Sequence, residues 1–113
     1  MSSDRTAIHL KHMLDNIDRI LEWTRASTLD SYKSSPMLRD AVERCLERVS
    51  EASRRIPAEL KATEPRVPWR KVADIGNVLR HEYHDVGDAE VWRIVVDDLQ
   101  SLKDAVLRMI DRS

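Results

Sequence analysis

Between Asn77 and His84 the chain gathers an amide, a guanidinium, two imidazoles and a phenol: Asn77, Arg80, His81, Tyr83 and His84. On a helix, Asn77, Arg80, His81 and His84 share a face, at offsets of three and four. Tyr83 falls on the neighbouring line with Gly76, Leu79 and Arg80. A histidine beside an arginine and an amide can hold a phosphate, transfer a proton, or do both in turn. Cleavage of RNA by its own 2′-hydroxyl asks for little more: a base for the 2′ proton, an acid for the leaving oxygen and a fixed cation. No metal is required for it. The same pattern also describes an amphipathic helix whose end turns polar as it leaves the core, and spacing alone leaves both readings open.

The element that must position this cluster runs from Pro68 or Trp69 to about Asp85. Proline is tolerated at a helix start. Trp69, Val72, Ile75, Val78 and Leu79 supply a buried side. Gly76, in the interior, costs roughly 1 kcal/mol against alanine. It marks either a close approach by another helix or a break near Asp74–Gly76 with a restart at Asn77.

The rest of the chain reads as further helices. Ser3 or Asp4 caps a first helix extending to about Arg25, with Leu10, Leu14, Ile17 and Leu21 as its stripe, widened by Met13, Ile20 and Trp23. His9 and His12 flank that stripe as surface or rim residues. Ala26–Ser35 is a polar connection with one helical turn around Leu29 and Tyr32, and Tyr32 covers an end of the core. Ser35 then Pro36 signals a second long helix to about Arg55. Its outer face carries Glu43, Arg44, Glu47, Arg48, Glu51, Arg54 and Arg55. A solvated face of mixed sign is the favoured reading, with a phosphate-binding strip as the alternative. Pro57, Pro65 and Pro68 shape a connection holding one short helix over Ala58–Ala62. A last helix opens at Gly87 or Asp88, its stripe Val91, Val95, Leu99, Leu102, Val106 and Met109 or Ile110. Trp92, Ile94 and Val96 beside it offer an extra face for a dimer contact. The expectation is one all-α domain over residues 1–113: an antiparallel four-helix bundle with one or two short extra helices.

Composition bounds the partners. The 113 residues are 42% hydrophobic and 35% charged with a net charge of −1, so no global field draws the chain to nucleic acid or to an acidic membrane. Any RNA contact must come from a local basic patch, and the excess of arginine over lysine suits forked recognition of phosphate. Cys45 is the single cysteine. It fits a reducing cytosol and forms no intrachain disulfide. No Cys/His spacing resembles a zinc site, no cofactor is expected, and no apolar run suggests a signal peptide or membrane span. A cytoplasmic location is expected.

The stretch Ile-Gly-Asn-Val-Leu-Arg-His-Glu-Tyr, preceded by Val-Pro-Trp-Arg, resembles the HepT-like ribonuclease toxins of the HEPN superfamily. Those are small all-helical bacterial proteins paired with a minimal nucleotidyltransferase antitoxin. The family motif is an arginine, four residues, a histidine, one residue and a tyrosine; His81 and Tyr83 match its last two positions. Gly76 stands where the motif has its arginine, which leaves Arg80 as the candidate phosphate ligand. The resemblance implies a composite site between two copies of the chain, with His81 as general acid or base and Asn77 positioning substrate. It also implies that the partner nucleotidyltransferase places AMP on Tyr83. His84 is read as a supporting residue. Two readings follow: an endoribonuclease toxin, or a catalytically weak or inactive HEPN protein that serves as the nucleotidyltransferase's partner and substrate.

Overall fold

A computed structural model of the chain describes the backbone of residues 4–81 and 84–113, and the side chains of 5–79 and 87–113. Helix α1 spans Asp4–Thr24. Leu10, Met13, Ile17 and Ile20 lie three and four apart and are wholly buried. The next member of that row is Thr24, which is buried and donates its hydroxyl to the Ile20 carbonyl at 2.7 Å. Trp23 sits about 100° around the helix from it and is 44% exposed, so it does not widen the buried stripe as expected.

The connection carries a complete short helix, α2, over Leu29–Lys33. Thr28 caps it reciprocally with Ser31: the Ser31 amide donates to the Thr28 hydroxyl at 3.1 Å and the Thr28 amide to the Ser31 hydroxyl at 2.9 Å. Tyr32 is fully buried, its ring 5.4 Å from that of Trp92. Burial and the nearby carboxylates of Glu43 and Asp88 push its phenol well above the ordinary range. Helix α3 spans Pro36–Ser53 and starts as expected, the Leu38 amide donating to the Ser35 hydroxyl at 3.2 Å. It packs along α1 through Val42, Leu46 and Val49.

Helix α4, Ala58–Lys61, folds the proline-punctuated connection back onto the next helix. The Trp69 indole donates to the carbonyls of Lys61 (3.2 Å) and Glu64 (3.1 Å). Glu64 is buried and clamped by two arginines of the last helix: Arg108 donates to it at 2.7 Å, and Arg112 bonds its other oxygen. These bonds hold the Glu64 carboxyl at about 2, against an ordinary value of 4.5. A depressed carboxyl contributes stability that is complete above the unfolded value and lost as pH falls through the folded one. The stability gap between wild type and Glu64→Gln is therefore expected to be constant above about pH 5. It should close as pH falls from there towards about 2, read as urea midpoints along a pH series.

Helix α5 spans Trp69–His81 and runs unbroken through Gly76, so the break near Asp74 does not occur. Its backbone does not take positive φ there, and Gly76 is buried against α3. Close approach is the reason for the glycine. Ser50 and Ser53 of α3 are buried at this crossing, and the Ser50 hydroxyl donates to the Ala73 carbonyl at 2.9 Å.

The start of the next helix differs from expectation. α5 is described to His81, its expected continuation to about Asp85 passes through residues 82 and 83, which lie outside the described residues, and α6 runs over His84–Arg93. Gly87 and Asp88 thus lie inside a helix and do not open one. Asp88 is 4% exposed, and its carboxylate receives Arg39 of α3 at 3.1 Å. Arg39 also donates to the Lys33 carbonyl at 3.0 Å. A buried carboxylate with a guanidinium partner is spent on that pair and is not free to cap amides.

A π-helical turn over Ile94–Asp98 joins α6 to α7, Leu99–Arg112. The wider turn keeps Val91, Val95 and Leu99 on the core side although they are four apart throughout. Trp92 and Ile94 are partly buried against the core, whereas Val96 is 59% exposed. The result is an all-α bundle, with α2 and α4 as the short extra helices. Among the described residues no helix is long and apolar enough to cross a membrane.

Candidate functional site

The backbone positions of Asn77, Arg80 and His81 all fall in the last two turns of α5, and His84 opens α6. Tyr83 lies outside the described residues, as do the side chains of Arg80, His81 and His84. Asn77 is exposed and donates its amide to Asp74 at 2.7 Å, one turn back on the same helix.

Gly76 opens into a groove of about 710 Å³ between α1 and α3. Its walls hold Arg19 of α1 and Arg44, Arg48, Arg54 and Arg55 of α3, with His9 and His12, against the carboxylates of Asp15, Glu47 and Glu51. Arg44 pairs with Glu47 at 3.5 Å, and Arg55 with Glu51 at 3.0 Å. Among the described residues neither Arg19 nor Arg48 has a carboxylate within ion-pair distance. Arg54 lies 3.9 Å from Glu51 and is held more closely elsewhere. Its Nε and Nη2 both donate to the Ala73 carbonyl, at 3.1 and 2.7 Å, which pins the guanidinium one turn from Gly76. The groove is thus net positive, and its charge is concentrated beside the helix that carries the motif.

A second groove of about 650 Å³ lies on the opposite flank of α5, towards the π-helical turn and α7. Val72, Ile75, Leu99 and Leu102 line it. Two of its arginines are spent internally. Arg93 donates to Glu90 at 2.8 Å, holding that carboxyl below its usual range, and to Asp98 at 3.2 Å. Arg108 is the partner of Glu64. Among the described residues no three His, Cys, Asp or Glu side chains converge to hold a metal ion.

The sequence reading placed the candidate chemistry on α5 and missed the α1 wall of the groove. The signal was present. His9, His12, Asn16 and Arg19 recur at spacings of three, four and three, one position behind the buried row Leu10, Met13, Ile17 and Ile20. A polar row in step with a core row borders that core, here on the side facing α3.

Comparison with known proteins agrees with this architecture. The family description "Ribonuclease HepT-like" matches residues 13–109. The chain belongs to the HepT-like ribonuclease family. It is 34% identical over 95 residues to a protein of Thermococcus cleftensis named "Probable ribonuclease HepT", covering 84% of this chain and 86% of that one. It is 30% identical over 106 residues to "Putative RNase MJ1380" of Methanocaldococcus jannaschii, covering 94% and 97%. A third relative, from the same archaeon, is named "Gamma-glutamylcyclotransferase and putative RNase MJ0434". It is 32% identical over 104 residues, covering 92% of this chain but only 47% of the relative, so the chain spans about half its length. No solved structure matches the chain.

Proposed function

We propose that this protein is a metal-independent endoribonuclease, the toxin of a bacterial type VII-like toxin–antitoxin pair, cutting RNA at a site shared between two copies of the chain. The observation that carries the reading is the sequence spacing of His81 and Tyr83 in a chain of the HepT-like family. His81 takes the 2′-hydroxyl proton or delivers one to the leaving oxygen. Arg80 balances charge on the phosphorane, and Asn77, held by its bond to Asp74, positions the strand. Tyr83 contacts substrate, and His84 supports the site from the start of α6. As the 2′-oxygen forms its bond to phosphorus, the bond from phosphorus to the 5′-oxygen breaks. The fragments end in a 2′,3′-cyclic phosphate and a 5′-hydroxyl. Two chains facing each other supply a second histidine, so that one acts as base while the other acts as acid.

Control by a minimal nucleotidyltransferase completes the proposal. The Tyr83 phenol oxygen attacks the α-phosphorus of ATP, pyrophosphate leaves and the phenol proton goes to solvent. The added phosphate brings negative charge and bulk to an RNA-facing surface, where it repels substrate.

Gly76 favours a second reading, because it removes the family arginine from the phosphate: a binding protein that is the nucleotidyltransferase's substrate and cuts RNA weakly or not at all. One experiment separates the two. Purified protein is incubated with total RNA in EDTA, and in parallel with the nucleotidyltransferase and ATP. RNA fragments with cyclic phosphate ends are the expected result. Intact RNA, together with an AMP mass increment that is absent from Tyr83→Phe, would assign the second reading.

A further inference from the structure

The net-positive groove between α1 and α3 has no role in the reaction just described. Arg19 and Arg48 face it from opposite walls without an ion-pair partner among the described residues. Unpaired guanidinium groups lining one groove repel, and an anion bound in that groove relieves the repulsion. Arg54 adds a third cation, fixed on the Ala73 carbonyl, so its rotamer freedom is already restricted before any ligand arrives. Asn16, between His12 and Arg19 on the α1 wall, donates its amide to the His12 carbonyl at 2.8 Å.

Gly76 connects this groove to α5. With no side chain at that position, the groove stays open up to the α5 backbone. Five residues of helix, about 7.5 Å, separate Gly76 from His81. We infer that the groove is the track on which the phosphates of a single RNA strand are held, with Arg19, Arg48 and Arg54 as their ligands, leading the strand to the end of α5. The inference rests on the ribonuclease reading above. A second copy of the chain is a poorer occupant, because the same net-positive face would meet itself. The groove on the other flank of α5 is lined by Val72, Ile75, Leu99 and Leu102, with Arg93 and Arg108 already paired, and makes the natural comparison surface.

The test is fluorescence anisotropy with a labelled, mixed-sequence 2′-O-methyl RNA, which lacks the attacking hydroxyl and so separates binding from cutting. Arg48→Ala removes no intramolecular bond and is the primary variant. Arg54→Ala and Arg19→Ala/Arg48→Ala extend it, and Arg66→Ala in the other groove is the control. Arg48→Ala is expected to weaken binding several-fold and to reduce the slope of log affinity against log salt by about 0.7, the value for one phosphate contact on a single strand. The double variant should lose about twice that slope, and Arg66→Ala should match wild type. Unchanged affinity in the groove variants, or an equal loss in Arg66→Ala, overturns the track while leaving the ribonuclease reading intact if wild type cuts RNA. A change in dimerisation in place of RNA affinity, seen by sedimentation, assigns the groove to a second copy. A wild type that neither binds nor cuts RNA overturns both.

Discussion

His81→Ala is expected to lower RNA cleavage by about 10²–10⁴-fold, and to relieve the growth arrest that the proposed toxin role predicts for expression of the wild type. The size of the effect follows from the chemistry. Intramolecular attack by a 2′-hydroxyl is slow until a base removes its proton, and in the proposed site His81 is the group that does so near neutral pH. The check is a gel-based cleavage assay beside a thermal melt. A melt unchanged within a degree or two, with cleavage so lowered, places the loss in chemistry. Arg80→Ala, run in parallel, separates proton transfer from phosphate binding. It should raise the RNA concentration needed for half-maximal rate as well as lowering the rate, whereas His81→Ala should lower the rate alone.

Asp88→Ala should be the most damaging single exchange on α6. The Asp88 carboxylate is almost wholly buried against Arg39, whose side chain is itself only 24% exposed. Removing one member leaves a largely buried guanidinium without its counter-charge, and breaking such a pair costs about 3 kcal/mol or more. Arg39 keeps its bond to the Lys33 carbonyl, which places the cost at the lower end of that range. Asp88→Asn, which retains an acceptor, should lose less. Urea unfolding measures both, and an unchanged slope with a lower midpoint would confirm loss of stability without a looser unfolded state. The pair also ties α6 to α3 directly after the motif. Asp88→Ala is therefore expected to depress cleavage as well, and stabilising osmolyte should restore part of it.

Much of the fold was legible because its signals are local. Ser35–Pro36 announces α3 through an acceptor for orphan amides and a residue that has no amide of its own. The α1 stripe read as Leu10, Leu14, Ile17 and Leu21 has the right period, but its centre lies towards Met13 and Ile20, which are fully buried while Leu14 and Leu21 are only partly so. The failures are tertiary. Asp88 has the composition of a cap, and only the approach of Arg39 from 49 residues away makes it half of an ion pair. Trp23 is as apolar as its neighbours, yet its angular position turns it outward. The candidate site divides the same way. The candidates His81 and Tyr83 come from spacing in the sequence alone. The groove requires α1 and α3 to be brought side by side, and no pattern within either helix says that Arg19 and Arg48 will line the same groove.

The π-helical turn at Ile94–Asp98 has a bearing on how relatives are lined up. One extra residue is absorbed there while the buried positions on both sides stay in place, so the helix holds two independent registers joined by an adjustable splice. A one-residue gap falling within this stretch would therefore not mark a different bundle. Relatives that carry or lack the residue can share the same core on both sides of it. Numbering offsets between the motif and the last helix are then a matter of bookkeeping in the chain, with no counterpart in the position of any buried side chain.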